Sequence, residues 1–220
     1  MTKDQSVTPK GTLVLNASGK AAFSGATTFK LKQDKLSASL AFTDATIKNT
    51  KSLKDVVATV DWAANKSVAV NTKYELGSRK YTVGATLDQK LASKATTLKL
   101  SYSNKDKLVA GEATAALAKG LKANTTFNQK RVLATKLTLT KGDYTIEPSY
   151  NLVRAAAAVS ATKKLGGKDT LKISYDLKSQ AAAAEYAHKP FKLTLAGSVS
   201  QGLTFSKPTL SAVYENTISF

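Results

Sequence analysis

The residues of this 220-residue chain that could perform acid–base or metal chemistry are few and lie far apart. His188 is the single histidine, and the chain has no cysteine that could share a metal ion with it. A catalytic acid–base pair needs two titratable groups in close contact, and the scattered carboxylates show no spacing that would provide one. We therefore predict that the protein is not an enzyme and has no metal or cofactor.

One glycine-containing stretch, KKLGGKDT at residues 163–170, superficially resembles a phosphate-binding loop. That loop requires a glycine at position 162, where this chain has Thr162. The stretch is therefore interpreted as a lysine-rich turn between two strands.

The dominant charged groups are lysines, which give the chain a net charge of +18. A balance this basic indicates nucleic acid, an anionic membrane surface or anionic solutes as partners. Nucleic-acid binding favours a basic cluster with aromatic side chains for base stacking, whereas these lysines are spread evenly and many fall in turns. We predict small anionic and neutral solutes and membrane lipid as partners, and no nucleic acid.

Most of the chain alternates apolar and polar residues with the period of two that is typical of strands. In the stretch TTLKLSYSNKDKLVAG, Leu98 and Leu100 fall on one face and Lys99 on the other. Short breakers separate about sixteen such runs of roughly ten residues, the length that a tilted membrane strand needs. Two alanine-rich runs, VRAAAAVSATKK and SQAAAAEYAHK, leave open a single short helix at either place.

A half-buried sheet of a soluble protein and a membrane barrel would both show this alternation. Three features favour the barrel: hairpin-sized connections throughout, a second face of small and polar residues unsuited to a dry core, and tyrosines near strand ends on the apolar parity. We predict an all-β fold, a closed antiparallel up-and-down transmembrane β-barrel of about 14–16 strands, with 12 as the lower limit. Residues 1–10 are predicted to form a flexible N-terminal segment and residues 11–220 a single pore domain.

Parity then assigns the candidate site residues. Polar-parity charges predicted to line the pore are Lys73, Lys99, Lys122, Lys136, Arg154, Lys172, Lys192, Asp61, Glu112, Glu147 and Glu185. Apolar-parity aromatic residues predicted to form a girdle at the membrane interfaces are Trp62, Tyr74, Tyr102, Tyr175, Tyr186 and Tyr214. Seven basic against four acidic pore residues predict weak selectivity with a slight preference for anions.

Four collinear segments resemble the chloroplast outer envelope pore protein 24 family over about residues 20–220: FTDATI from Phe42, LSYSNKDK from Leu100, YTIEPSYNL from Tyr144 and KPTLSAVYE from Lys207. The resemblance implies a wide, voltage-dependent and poorly selective channel of the plastid outer envelope. It implies permeation by triose phosphates, phosphate, dicarboxylates, ATP, sugars and amino acids, with a slight cation preference. The sequence leaves the oligomeric state open, so a homo-oligomer stays compatible with it.

Two rival functions remain at this level. A soluble basic β-sheet protein could bind nucleic acid or another polyanion, and it would be extracted from membranes by alkaline carbonate. A barrel that carries an apolar ligand would need large interior side chains, which the polar parity does not supply.

Overall fold

The computed structural model describes residues 3–48, 53–200 and 204–219, and these form one closed antiparallel barrel. Each strand pairs with its neighbour in sequence, and β1 pairs with β16 to close the sheet. The first eight strands are β1 Lys3–Leu15, β2 Ala21–Gln33, β3 Leu36–Thr43, β4 Val57–Ala63, β5 Val68–Glu75, β6 Lys80–Leu91, β7 Lys94–Ser103 and β8 Leu108–Ala118. The others are β9 Leu121–Asn128, β10 Val132–Lys141, β11 Tyr144–Asn151, β12 Ala156–Gly166, β13 Asp169–Asp176, β14 Ala181–His188, β15 Phe191–Val199, β16 Phe205–Glu215 and β17 Ile218–Ser219.

The barrel has sixteen strands, because the two-residue β17 continues β16 along the same side of β1. Lys10 pairs with Glu215 and Val7 with Ile218, so the register is unchanged across the break. Pro9 lies at the break and has no N–H to donate to the ladder. Of the predicted range of strand numbers only the upper limit is correct, whereas the closed, antiparallel, up-and-down topology is confirmed.

The N-terminal segment differs from its prediction. Residues 3–10 belong to β1, which pairs with β2 along its whole length from Lys3 to Leu15. Their own alternation is weak, and the strand is specified by pairing with the strongly alternating β2. Tertiary pairing of this kind overrides a weak local pattern.

Both alanine-rich runs are strand over most of their length, from Ala156 in β12 and from Ala181 in β14, and neither contains a helix. Alanine favours helices in isolation, but each run is paired on both sides and completes the backbone hydrogen bonding of the wall. The described helix, α1 Asp44–Lys48, instead follows β3. No helix within the described ranges is long and apolar enough to span a membrane.

The two edges of the barrel carry different connections. Even-numbered strands end at what we name the short-turn edge, whose connections are residues 34–35, 64–67, 92–93, 119–120, 142–143, 167–168 and 189–190. Odd-numbered strands end at what we name the long-loop edge, with connections of three or more residues and the segment that carries α1. Most two-residue turns contain a positive φ, for example 75° at Gly120 and 57° at Gly142, which hairpins of this length require.

The outward face near the long-loop edge pairs glycines with phenylalanines of the neighbouring strand. A Cβ at Gly111 would lie 2.4 Å from Phe127 Cζ, and one at Gly197 would lie 2.5 Å from Phe205 Cζ. Each ring therefore occupies space that a side chain on the glycine would fill, which only the absence of that side chain permits.

Burial in this molecule is unlike that of a water-soluble protein. Among the described residues only Val56 and Ala156 are buried hydrophobic side chains, while 37 large hydrophobic residues are exposed. A soluble fold of this size would collapse around a dry core, and contiguous exposed apolar surface marks contact with a membrane or a partner. The wall is one sheet thick, with an apolar outside that requires lipid.

Candidate pore

Strand register settles which predicted residues share a face. Lys99 pairs with Glu112, and Lys172 pairs with Glu185. Because paired residues point to the same side of a sheet, these ladders can be followed from strand to strand around the wall. Ten of the eleven predicted pore-lining residues lie on one face: Lys73, Lys99, Lys122, Lys136, Lys172, Lys192, Asp61, Glu112, Glu147 and Glu185.

That shared face is the inner one. Along β11 the exposure alternates without exception, and the apolar residues Ile146 (45%) and Tyr150 (46%) are exposed while Glu147 and Ser149 are half-buried. Side chains on the concave side of a closed sheet crowd one another, so the less exposed set points inward. The barrel thus has a charged, polar interior and an apolar exterior.

Charges of opposite sign alternate along the inner wall from β7 to β15, and we name this row the polar belt. Its members are Lys99, Glu112, Asn124, Lys136, Glu147, Lys172, Glu185 and Lys192. The Lys136 Nζ lies 3.0 Å from Glu147 Oε1, and the Lys192 Nζ lies 3.2 Å from Glu185 Oε2.

Uncharged side chains complete the belt. The Asn124 amide donates to Glu112 Oε1 at 2.6 Å and to Thr114 Oγ1 at 2.8 Å. The hydroxyl of Thr138 donates to Glu147 Oε1 at 3.1 Å. Each carboxylate of the belt therefore has at least one hydrogen-bond or ion-pair partner on the inner wall.

Of the remaining predicted inner residues, Lys122 lies on β9 within the same part of the wall, whereas Asp61 and Lys73 lie on β4 and β5. Ser37 donates to Asp61 Oδ2 at 3.3 Å, and Lys73 Nζ lies 3.0 Å from Glu75 Oε1. These pairs are local and exposed, so they contribute little stability of their own. Their charges contribute instead to the electrostatic potential inside the barrel.

Arg154 is not where the sequence predicted it. It lies in the connection of residues 152–155 at the long-loop edge, where its backbone N–H donates to Asn151 Oδ1 at 2.9 Å. Ala155 follows with a φ of 48°. The sequence prediction extended the alternation of the preceding strand through Arg154, whereas the Asn151 side chain caps a turn at this point.

The structure adds inner-face charges that the sequence prediction missed. These are Lys10, Lys30, Lys32, Lys80, Lys90, Lys164, Asp4, Glu75, Asp88, Asp176 and Glu215. Parity alone could have found several of them, since Lys30 and Lys32 alternate with Phe29 and Leu31. Within the described strands the inner face now carries twelve basic and nine acidic residues, an excess of three positive charges.

All six predicted girdle residues lie on the outer face, next to or near the last residue of their strands. Tyr74, Tyr102 and Tyr175 lie one residue before the end of odd-numbered strands, at the long-loop edge. Trp62, Tyr186 and Tyr214 lie one or two residues before the end of even-numbered strands, at the short-turn edge. Register thus divides them into two rows, one at each edge, and their role as a girdle at the membrane interfaces stays a prediction.

One carboxylate at the long-loop mouth is held ionised by its neighbours. Hydrogen bonding by Ser103 and by Lys80, together with the Lys80 charge, lowers the pKa of Asp106 below its usual value. The Lys80 Nζ lies 3.1 Å from Asp106 Oδ2. The pair has no net charge, so Asp106 offsets the charge of Lys80 at this mouth.

Cysteine labelling tests the two faces directly. We expect Lys99→Cys, in a cysteine-free background, to react with a small water-soluble thiol reagent when the barrel is in lipid vesicles. Leu98→Cys, on the next position and the outer face, should be protected by lipid. Equal labelling of the two variants, or labelling of Leu98→Cys alone, would show that the faces are reversed.

A closed sixteen-stranded barrel with a charged interior, an apolar exterior and aromatic rows at both edges defines a porin-like outer-membrane pore. Within that class, the family model for outer envelope pore protein 24 matches residues 10–213. The chain therefore belongs to the outer envelope pore protein 24 family, and the predicted resemblance is confirmed.

Solved structures agree with this fold. A triple mutant of the Rhodopseudomonas blastica porin superposes with a TM-score of 0.63 at 9% identity, over 100% of both chains. The outer membrane protein OpdK from Pseudomonas aeruginosa gives a TM-score of 0.55 at 7% identity, covering 100% of this chain and 99% of that one. At such identities the likeness concerns the fold alone. A search of curated protein sequences finds no significant match.

Proposed function

We propose that the chain is a diffusion channel of the plastid outer envelope that passes small hydrophilic metabolites with weak charge selectivity. The observation that carries the proposal is the polar belt inside a sixteen-stranded wall. Barrels of about eight strands fill their interior with side chains, whereas sixteen strands leave room for an aqueous channel.

The inner surface also supports weak selectivity. Twelve basic and nine acidic residues are intermixed around the wall, so an ion passes charges of both signs at short range. At physiological salt the screening length is about 8 Å, and the field of each residue fades within a wide, water-filled interior. Triose phosphates, phosphate, dicarboxylates, sugars, amino acids and ATP are the permeants we propose.

The structure gives no support to a soluble polyanion-binding protein. Such a protein needs a dry core, and two buried hydrophobic residues within the described part of the chain are too few to supply one. The plastid location follows from the family resemblance and forms part of the proposal. Targeting of a tagged full-length chain in plant cells, followed by carbonate extraction of the plastid envelope, tests that part separately.

Planar-bilayer recording tests the channel itself. Purified protein refolded into detergent should insert and give stepwise conductance in symmetric salt, and vesicles that contain it should swell in sucrose or triose phosphate. Heat-unfolded protein is the control. A barrel that is protease-protected in vesicles, yet neither conducts nor admits solute, would contradict the proposal.

A further inference from the structure

The outward-facing strand lysines whose side chains are described lie at one edge of the barrel. Register assigns Lys94, Lys141 and Lys163 to the outer face, and all three lie within a few residues of the short-turn edge. Lys207 lies in the bulge of β16, where pairing assigns it to neither face. No other lysine or arginine whose side chain is described faces outward from a strand. The aromatic row at the long-loop edge therefore has no described outward-facing strand lysine beside it.

Two of these lysines flank one tyrosine. Tyr144 pairs with Lys141 on β10 and with Lys163 on β12, so the three side chains stand next to one another on the outer face. The Lys163 Nζ lies 5.3 Å from the centre of the Tyr144 ring, in cation–π distance. Both ammonium groups are exposed, and no described carboxylate lies within 4.0 Å of either. We name this arrangement the Lys141–Tyr144–Lys163 triplet.

The nearby acidic groups form no ion pair with the two lysines of the triplet. Asp143 lies in the adjoining turn and forms no ion pair with any described residue. Asp169 is engaged elsewhere, because Tyr186 Oη donates to its Oδ2 at 2.9 Å and His188 contacts its Oδ1. The outer surface at this point therefore keeps a positive charge where it meets the polar layer of a bilayer.

We propose that the triplet binds the headgroup of an anionic phospholipid, and that the short-turn edge therefore faces an anionic leaflet. A tyrosine ring sits favourably at the boundary between acyl chains and headgroups, and lysine stems extend along apolar surface to place their ammonium groups at the phosphates. The two-residue turn that follows Lys141 keeps this surface close to the membrane plane. This inference concerns the outer wall, so it stands or falls independently of what the channel passes.

Native mass spectrometry of the detergent-solubilised barrel, titrated with phosphatidylglycerol, tests the site. The Lys141→Gln/Lys163→Gln variant should bind its tightest phosphatidylglycerol more weakly, by about fivefold for each lysine removed. The Lys105→Gln/Lys130→Gln variant, with the same change in net charge at the long-loop edge, should bind like wild type. Phosphatidylcholine should bind weakly to all three proteins.

Three results would contradict lipid binding at the triplet. Unchanged affinity in a folded Lys141→Gln/Lys163→Gln barrel would show that the triplet is not the site, and resistance of the barrel to unfolding in sodium dodecyl sulfate verifies folding. An equal loss of phosphatidylglycerol affinity in the Lys105→Gln/Lys130→Gln control would show that net charge, and not the triplet, determines binding. Displacement of phosphatidylglycerol by millimolar inorganic phosphate would assign the site to a soluble anion rather than to lipid.

Discussion

A lysine in place of Leu137 should impair insertion of the barrel more than any other single change considered for this protein. Leu137 lies at the middle of β10, on the outer face, with 46% of its surface exposed. A lysine facing lipid near the bilayer midplane costs about 2–4 kcal/mol, because its charge loses water and gains no partner. We expect Leu137→Lys to lower the free energy of unfolding, measured by urea titration in vesicles, by about that amount.

The next residue provides the matched control. Thr138 lies on the inner face, and its hydroxyl contacts Glu147. The lysine of Thr138→Lys would lie in water between that carboxylate and Lys122, its cross-strand partner on β9. The attraction and the repulsion offset each other, so we expect its unfolding free energy to stay close to that of wild type. Equal destabilisation by the two substitutions would show that the two faces of β10 meet the same environment, and the membrane barrel would be the wrong structure.

The class of fold could be predicted because a barrel wall is specified by local pattern. Strands that alternate Leu98, Lys99 and Leu100 show both faces in the sequence, and hairpin-sized breakers restrict each strand to pairing with the next. The faces of ten inner-face charges and six outer-face aromatic residues follow from the same parity. Their roles in permeation and membrane anchoring remain predictions.

Other features depended on pairing that the sequence does not display. Residues 3–10 alternate poorly and become a strand because β2 provides thirteen partners for β1. The alanine runs of β12 and β14 favour helix locally, and their neighbours determine the outcome. The predicted strand number was a range for the same reason, because each of these uncertain runs adds or removes one strand.

Turn geometry explains the one misplaced pore residue. Parity extrapolates a strand for as long as the alternation continues, and it placed Arg154 inside the wall. The hydrogen bond from the backbone of Arg154 to Asn151 Oδ1 instead ends β11 three residues earlier. Asparagine forms such turns through its own side chain, and a period-two pattern contains no information about them.

The inner charges predict the sign of ion selectivity. The structure replaces the seven basic and four acidic residues of the sequence prediction with twelve and nine, and the excess of three positive charges is unchanged. A positive potential raises the local concentration of anions, and salt weakens the effect. Reversal potentials under a salt gradient should therefore show a weak anion preference at low salt that fades at high salt. This sign is opposite to the cation preference that the family resemblance implies.

Lys99 and Lys136 are the residues whose replacement should change that sign. Both belong to the polar belt, and the change of both to glutamate converts the inner excess of three positive charges into an excess of one negative charge. It also places a new carboxylate beside Glu147, which Lys136 neutralises in the wild type. The reversal potential of Lys99→Glu/Lys136→Glu should move toward cations, with Lys99→Gln/Lys136→Gln between it and wild type.

A matched variant distinguishes the effect of inner-face charges on ion selectivity from the effect of the protein's net charge. Lys141→Gln/Lys163→Gln removes two positive charges from the outer face, with the wall between them and the permeating ions, so its selectivity should equal that of wild type. A shift as large as that of Lys99→Gln/Lys136→Gln would mean that distant charge sets selectivity. A wild-type barrel that already favours cations at low salt would contradict the inner-face assignment, because twelve basic against nine acidic residues cannot produce that sign.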